Sequence, residues 1–430
     1  MYKPVETIEV NIWDRIVGAL ALDPKLGFYA FEYAASFLKS GIELAPIQLP
    51  LTNGTGPFVF TDLPESTYKR LPAFIADALP DDFGNALIDA WMASKGVAKN
   101  EITALDRLAY MGKRGMGALE FKPVRSPSVQ STTAIQLSKL VESARSALYG
   151  HFDSDALTKT SLAQIIQLGT SAGGARAKAV IAWNKKTKEI RAGQFEMDKG
   201  FEPWILKFDG MGPDRELGGT LDYGRVEYAY SLMAKVAGIT MAPCQLLEEN
   251  GRAHFMTSRF DRSGNNKHHL QSLCAMAHLD YKQRATHDYS QLFLIIQKLG
   301  LNYDALTEAF RRMTFNIMAA NCDDHPKNFS FLLKEDMEEN DWQLAPAYDL
   351  THAYNPKGKW THQHLMGVNG KFLNHRKKDL LLLAEQFGIG TAPKIMVQVG
   401  EAVKAWPEFA KKAGLGEKAM MRVKDHHRGL

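Results

Sequence analysis

One short segment says more about the function of this chain than any other segment. It is Asn321–Asn328, with the sequence NCDDHPKN, and it is followed downstream by Asp349. The segment places Asp323 and Asn328 five positions apart. Phosphoryl transfer needs one carboxylate that orients the attacking hydroxyl, while an amide oxygen and a second carboxylate hold Mg²⁺ against the nucleotide phosphates. The set therefore predicts a phosphotransferase site.

The pattern around this segment predicts that the three side chains lie together. A helix-like run over Leu306–Asn321 leads into the loop, and two strand-like runs follow it, Phe329–Leu333 and Trp342–Ala345. An acidic turn separates the two runs, so a hairpin would carry Asp349 back beside Asn328. Asp-x-x-x-x-Asn alone is weak evidence because Asp and Asn are common turn residues. The hairpin and the second aspartate make the set specific.

Each side chain of the loop has a predicted role. Asp323 is the carboxylate that orients the hydroxyl, and Asn328 and Asp349 are the metal ligands. Lys327 is placed to steady the charge that develops on the transferred phosphoryl group. Asp324 is the ambiguous residue, because with two adjacent aspartates the choice of Asp323 depends on the five-residue spacing to Asn328.

These residues resemble two specific motifs of the HipA family of bacterial serine/threonine kinases, the toxins of HipA–HipB toxin–antitoxin pairs. The motifs are Asp-x-His-x-Lys-Asn-Phe-Ser, here Asp323–Ser330, and Pro-x-Tyr-Asp, here Pro346–Asp349. Further matches follow the family's order along almost the whole chain, at Gly117–Phe121, Ser171–Lys178, Ile205–Lys207 and Arg259–Arg262. The resemblance implies ATP and Mg²⁺ as cofactors.

The glycine-rich segment Leu168–Ala175 precedes a strand-like run, Lys178–Trp183. Small residues such as Gly173 and Gly174 let backbone N–H groups approach phosphate oxygens, although on composition alone a flexible hairpin is the simpler interpretation. The resemblance favours the phosphate-binding loop. It also implies that Ser171 is autophosphorylated, with Thr170 as the neighbouring alternative.

Lys207 lies inside an otherwise apolar strand, Trp204–Phe208. A lone lysine there is usually an edge residue or a snorkelling side chain, but a kinase needs one strand lysine against the α- and β-phosphates. Glu227, on the amphipathic helix that follows, is its predicted partner, with a solvated helical carboxylate as the alternative. The strand-like segment His254–Phe260 is the predicted hinge, with Phe260 as an apolar wall for adenine.

We predict three segments, residues 1–125, 126–262 and 263–430. Their strand-like and helical runs indicate an α+β fold: a two-lobed protein-kinase-like architecture with an extra N-terminal subdomain and a mainly helical C-lobe. The step from pattern to kinase fold depends on the resemblance. The runs and turns expected are the strands Glu6–Ile12 and Gly27–Tyr33, the helices Asp81–Lys95 and Asp222–Val236, the linker Ser126–Thr133, and a second hairpin at Asn369–Gly370. Arg259, Asp261 and Arg262 are expected to form structural ion pairs.

The amino-acid composition narrows the class of protein but does not identify its function. Of the 430 residues, 45% are hydrophobic and 23% are charged, as in ordinary globular proteins, and the net charge of +4 predicts no bulk affinity for nucleic acid. The three cysteines lack metal-type spacing and suit a reducing cytosol. The N-terminus has no signal-peptide pattern, and no apolar run approaches the roughly 20 residues of a membrane span. We expect a cytoplasmic enzyme without membrane contact.

The resemblance also implies partners. The substrate would be a translation protein, such as an aminoacyl-tRNA synthetase. A small helix-turn-helix antitoxin resembling HipB would bind the chain, and DNA contact would be indirect, through that antitoxin. Two other interpretations remain open: a catalytically silent protein that acts as a co-repressor with the antitoxin, and a kinase for a small molecule. The intact set of Asp323, Asn328, Asp349 and Lys207 favours an active kinase over a silent one.

Overall fold

The structure is a computed structural model that describes residues 2–80, 82–126, 177–193, 196–209, 222–335 and 341–430. Several predictions of the sequence fall on residues outside these ranges. They are most of the linker (residues 127–133), the centre of the acidic turn (336–340) and the glycine-rich segment with Thr170, Ser171, Gly173 and Gly174.

The described residues form both strands and helices, which confirms an α+β fold. The strands are β1 (Thr7–Ile12), β2 (Arg15–Leu22), β3 (Tyr29–Tyr33), β4 (Glu120–Lys122), β5 (Lys178–Trp183), β6 (Ile190–Ala192), β7 (Glu202–Lys207), β8 (Cys244–Glu249), β9 (Arg252–Ser258), β10 (Arg262–Ser263), β11 (Asn266–Lys267), β12 (His269–Ser272), β13 (His287–Asp288), β14 (Ser330–Leu333), β15 (Gln343–Leu344) and β16 (Met366–Gly367). The α-helices are α1 (Ala35–Leu38), α2 (Glu65–Tyr68), α3 (Ala73–Ala76), α4 (Asp82–Ala93), α5 (Ala104–Met111), α6 (Tyr223–Val236), α7 (Leu273–Ala277), α8 (Tyr289–Lys298), α9 (Tyr303–Met318), α10 (Lys377–Gln386), α11 (Ala392–Lys404), α12 (Trp406–Lys412) and α13 (Glu417–Lys424).

The chain forms two compact units. The first unit comprises Met1–Met211, Ser258–Gln271 and Leu332–Asp341, and the second comprises Gly212–Thr257, Ser272–Phe331 and Trp342–Leu430. The predicted two-lobed arrangement and the three segment boundaries stay predictions.

The first unit begins with an antiparallel sheet of four strands in the order β3-β2-β1-β4. In strand β1 the alternate residues Ile8, Val10 and Ile12 share one face of the sheet and are fully buried. The central strand β2 was not predicted from the sequence. Its hairpin turns at Trp13 and Asp14, which both have positive φ. Such turns are usually marked by Asn-Gly or Asp-Gly, and because this one is not, it could not be recognised from the sequence.

The first unit also contains an ion-pair cluster. Asp261, fully buried, accepts hydrogen bonds from Arg259 (2.9 and 2.7 Å), from Arg262 (2.7 Å) and from the backbone N–H of Gly117 (2.8 Å). Burial alone would raise the pKa of Asp261, but the two guanidinium groups hold it well below its usual range. The predicted ion pairs are confirmed, and they tie two distant parts of the sequence together inside one unit.

In the second unit the long helix α9 delivers the loop that carries the predicted site. Asn302 caps its N-terminus by accepting from the N–H of Ala305 (3.2 Å). Its buried face includes Leu306, Phe310 and Met313, at the spacing of an amphipathic helix. Strand β14 follows the loop, and the N–H of residue 345, just after β15, donates to the carbonyl of residue 330 (2.9 Å). The predicted helix and hairpin are confirmed.

The predicted turn at Asn369–Gly370 is also present. Both residues have positive φ, and Val368 and Lys371 form an antiparallel bridge across them. The flanking strand β16 pairs in parallel with β13 instead of forming a longer hairpin. Among the described residues, no helix is both long and apolar enough to cross a membrane.

Candidate active site

The site is built on the loop between α9 and β14. The loop is fixed to the segment after Asp349 by two backbone hydrogen bonds, from the N–H of Cys322 to the carbonyl of Ala353 (3.0 Å) and from the N–H of Ala353 to the carbonyl of Ala320 (3.1 Å). A single 3₁₀ turn, Pro326–Asn328, then ends the loop. This pairing brings the two halves of the predicted site together.

A tyrosine beside Asp349 makes a second connection. The hydroxyl of Tyr348 donates to the carbonyl of Lys327 (2.8 Å) and lies 2.5 Å from the hydroxyl of Ser330. Asp349 itself has a positive φ of 53°. That conformation is uncommon for a residue with a side chain and marks a position held by its surroundings. Asp349 therefore lies on a segment that is hydrogen-bonded to this loop on both sides of residue 349.

Asp323 presents one carboxylate oxygen to the protein. Its Oδ1 accepts a hydrogen bond from the indole N–H of Trp360 (2.7 Å), and the side chain is 37% exposed. Its Oδ2 has no hydrogen-bond partner among the described residues. Partial burial raises the pKa of Asp323, and the negative charges of Asp349 and Asp324 add to that effect, while His325 and Trp360 oppose it. The carboxylate thus keeps one oxygen available and holds protons more tightly than a free aspartate.

Asn328 supplies the predicted amide ligand. Its side-chain N–H donates to the backbone carbonyl of Asp323 (2.6 Å), which closes the loop on itself. The Oδ1 atom has no hydrogen-bond partner among the described residues, so it is the atom left for a cation. Among those residues no group of three or more His, Cys, Asp and Glu could hold a metal. The oxygen set of Asn328 and Asp349 instead fits Mg²⁺, which takes one or two carboxylates and completes its shell with substrate phosphates.

Lys327 points at an aromatic ring. Its Nζ lies 5.4 Å from the centroid of Tyr281, within the range of a cation–π contact. The same ring lies 5.2 Å from the imidazole of His325, which in turn lies 6.5 Å from Trp360. Two aromatic rings therefore lie beside His325, and neither Tyr281 nor Trp360 was identified from the sequence. A Trp directly after a turn-like Asn-Pro-Lys-Gly-Lys segment was the available signal, but a half-exposed Trp has no signature of its own.

Asp324, left ambiguous by the sequence, turns away from the site. It is buried, and its carboxylate accepts from His364 (2.8 Å), from Tyr289 (2.8 Å) and from the backbone N–H of Leu365 (2.8 Å). Although burial opposes it, the charge of Asp324 raises the pKa of His364 to about 10, and the interactions lower that of Asp324 itself. The buried pair of Asp324 and His364 anchors the loop.

For the remaining predicted site residues, the structure gives positions and burial but not the predicted contacts. Lys207 is the last residue of β7, opposite Lys178 of β5, and is half-buried. Glu227 is buried in α6, with 3% of its surface exposed, and Phe260 is half-buried. The Lys207–Glu227 pair and the adenine contact of Phe260 stay predictions, and Ser171, Gly173 and Gly174 lie outside the described residues.

The geometry first defines a class: an α+β protein that brings an Asp, an Asn and a second Asp together on one loop and its neighbouring segment. Residues 170–422 match the family model of the HipA-like C-terminal domain, and residues 8–122 match that of the HipA N-terminal domain. The chain therefore belongs to the HipA family.

Two comparisons extend over nearly the full length. The chain is similar to the serine/threonine-protein kinase toxin HipA of Shewanella oneidensis, with 23% identity over 418 residues, 91% of this chain and 85% of the relative. It also superimposes on a chain of the solved complex of HipA, HipB and operator DNA from Shewanella oneidensis MR-1, with a TM-score of 0.67 and 18% identity. That match covers 97% of this chain and 95% of the other, and it shows a shared fold.

Proposed function

We propose that the protein is an ATP- and Mg²⁺-dependent serine/threonine kinase of the HipA type. The observation that carries the proposal is the loop itself, where Asp323 keeps Oδ2 available beside the amide oxygen of Asn328 and the carboxylate of Asp349. The name of the Shewanella relative, a serine/threonine-protein kinase toxin, agrees with this chemistry.

In this mechanism Asp323 orients the acceptor hydroxyl and receives its proton at Oδ2, while Trp360 holds Oδ1. Asn328 and Asp349 would hold Mg²⁺, which would neutralise charge on the nucleotide phosphates. Lys327, held over the ring of Tyr281, faces the charge that develops on the transferred group. A hydroxyl acceptor and a carboxylate base match the transfer to serine or threonine.

The nucleotide contacts are proposed from sequence and family. Lys207 would bridge the α- and β-phosphates with Glu227 as its partner, and Phe260 would face the adenine. Gly173 and Gly174 would let backbone N–H groups approach the phosphates. Ser171 would be phosphorylated by the enzyme itself. About 1.5 to 2 added negative charges at that position would repel ATP, so the modification would switch the enzyme off.

The proposed partners are inferred from the relatives of this chain. A helix-turn-helix antitoxin like HipB is the proposed partner, because the solved complex that shares this fold contains HipA, HipB and operator DNA. DNA would be contacted through that antitoxin. The substrate is proposed to be a translation protein, such as an aminoacyl-tRNA synthetase. The cytosol is the proposed location, in keeping with three cysteines that form no disulfide.

One experiment tests the central proposal. Purified protein is incubated with labelled ATP, Mg²⁺ and cell lysate, and the labelled proteins are identified by mass spectrometry. Asp323→Asn and a chelator of divalent cations are the matched controls. We expect label on serine or threonine that depends on both Asp323 and the metal. Label that persists in the Asp323→Asn reaction, or its absence from the wild-type reaction, would contradict the proposal, and the second result would favour a silent co-repressor.

The same samples test Ser171. Mass spectrometry of the wild-type protein and of Asp323→Asn should find phosphate on Ser171 only in the wild type. Phosphate on Thr170 instead would move the site by one residue. Undiminished ATP binding by the phosphorylated form would contradict the switch.

A further inference from the structure

Two surface loops of the second unit stand beside Asp323 and have no assigned role. They are residues 281–286 and 355–361, here called the acceptor surface. Tyr281 opens the first loop and contacts His325 at 5.2 Å, while Trp360 in the second loop donates to Asp323 at 2.7 Å. The guanidinium of Arg284 donates to the carbonyl of Lys359, which joins the two loops to each other. The acceptor surface is therefore a single feature built around the proposed catalytic carboxylate.

The second loop is an ordered turn. The N–H of Asn355 donates to the carbonyl of Thr361 (3.2 Å), which closes its base. The side-chain oxygen of Asn355 accepts from the N–H of Lys357 (3.1 Å), and its carbonyl accepts from Gly358 (2.9 Å). The turn thus fixes the backbone positions from which the side chains of Lys357 and Lys359 project into solvent.

The charge of this surface is entirely positive. Its sequences, YKQRAT and NPKGKWT, contain four cations and no carboxylate, whereas the whole chain of 430 residues has a net charge of only +4. Lys282, Arg284, Lys357 and Lys359 are all exposed. Among the described residues, no ion pair involves Arg284, Lys357 or Lys359. Exposed cations that form no ion pair within their own protein attract a partner of the opposite sign.

We propose that the acceptor surface binds the segment of the protein substrate that carries the phosphorylated hydroxyl, and that it selects a segment with acidic side chains next to that serine or threonine. The inference rests on the proposed kinase function. The ring of Trp360 and its N–H place the acceptor at Oδ2 of Asp323, and the cations of the two loops face the residues that flank it. Carboxylates beside the acceptor would pair with the exposed side chains of Arg284, Lys357 and Lys359.

The test uses the full-length protein, labelled ATP and cell lysate, with the phosphorylated sites mapped by mass spectrometry. The Lys357→Glu/Lys359→Glu double variant reverses two exposed charges of the surface and leaves the loop that carries Asn328 unchanged. Lys394→Glu/Lys411→Glu reverses two exposed lysines elsewhere in the same unit and serves as the matched control. Thermal unfolding confirms that both double variants are folded.

We expect wild-type sites whose flanking residues carry net negative charge. In the first double variant kcat/KM for the mapped substrate should fall about tenfold at low ionic strength and by less at high salt, while KM for ATP stays the same. The control variant should behave like the wild type.

Four results would overturn the inference while leaving the kinase in place. They are acceptor sites with neutral or basic flanks, an unchanged kcat/KM in the Lys357→Glu/Lys359→Glu variant, an effect confined to KM for ATP, and labelling that disappears when the lysate is treated with ribonuclease. The third would assign the cations to the nucleotide and the fourth to RNA. No Asp323-dependent labelling at all would instead contradict the proposed function itself.

Discussion

Two adjacent aspartates of one loop have opposite surroundings. Asp324 is buried, accepts from two side chains and a backbone N–H, and has a lowered pKa. Asp323 is 37% exposed, accepts from one indole, keeps Oδ2 without a partner among the described residues, and has a raised pKa. The same type of side chain thus anchors the loop at Asp324 and, in the proposed mechanism, is the reactive group at Asp323.

A reactive side chain has to be held in place by its neighbours. A carboxylate that must receive a proton cannot have all its lone pairs engaged, so its position has to be fixed by its neighbours. Asp324 supplies that support one residue away, because its bonds to His364 and Leu365 also hold the segment that carries Trp360. Stability and reactivity are therefore divided between two neighbouring residues, and mutations should separate them.

Asp323→Asn should have the largest effect, on rate alone. The amide cannot receive the hydroxyl proton, so kcat should fall by about 10²- to 10⁴-fold, or about 3 to 5 kcal/mol of transition-state stabilisation. The melting temperature should hardly change, because the side chain is partly exposed and makes one hydrogen bond. Asp349→Asn is the comparison: it should weaken Mg²⁺-dependent nucleotide binding, which Asp323→Asn leaves intact. Normal turnover by Asp323→Asn would remove this residue from the mechanism.

Asp324→Asn should have the opposite profile. It leaves the His364 imidazolium buried without its counter-charge, and breaking such a pair costs about 3 to 5 kcal/mol of unfolding free energy. Chemical denaturation measures this value, and His364→Gln should lose a similar amount. An unchanged midpoint would mean that the pair does not anchor the loop.

The pH dependence of stability gives a second measurement on the same pair. Because the folded-state pKa of His364 is about 10, above the ordinary 6.5, its contribution is complete below about pH 6.5 and is lost as pH rises toward 10. The lowered pKa of Asp324 makes its own contribution present above its ordinary pKa of 3.8 and lost on further acidification. The difference in stability between the wild type and Asp324→Asn should shrink at both extremes.

The sequence predicted the candidate site residues of this loop, but it did not predict the residues that anchor the loop through Asp324. The five-residue spacing and the hairpin predicted Asp323, Asn328 and Asp349, because local order along the chain determines which turn residues meet. The partners of Asp324 were not predictable, since Tyr289 and His364 approach it from 35 and 40 positions away with no motif to mark them. Strand β2 was missed for a related reason, because its turn uses residues outside the usual hairpin preference.

Lys207→Met tests a residue outside this loop, and its effect should appear only with ligand. The substitution keeps the apolar stem and removes the charge, so the melting temperature without ATP should stay the same. ATP at 100 times its Kd adds about 2.7 kcal/mol to the stability of a protein that binds it, and most of that gain should disappear in the variant. Thermal shift with and without ATP and Mg²⁺ measures it. Equal stabilisation of both proteins would make Lys207 an ordinary strand residue.

Trp360→Phe should have the smallest effect and is the finest test of the division between the two aspartates. The ring stays, but the N–H that holds Oδ1 of Asp323 is gone, so the carboxylate is less well oriented. Losing this hydrogen bond should cost about 1 kcal/mol in the transition state, roughly fivefold in kcat, with KM for ATP unchanged. Trp91→Phe is the matched control, because the indole N–H of Trp91 has no hydrogen-bond partner among the described residues. A loss of stability without a loss of kcat would place Trp360 with Asp324, on the anchoring side of the loop.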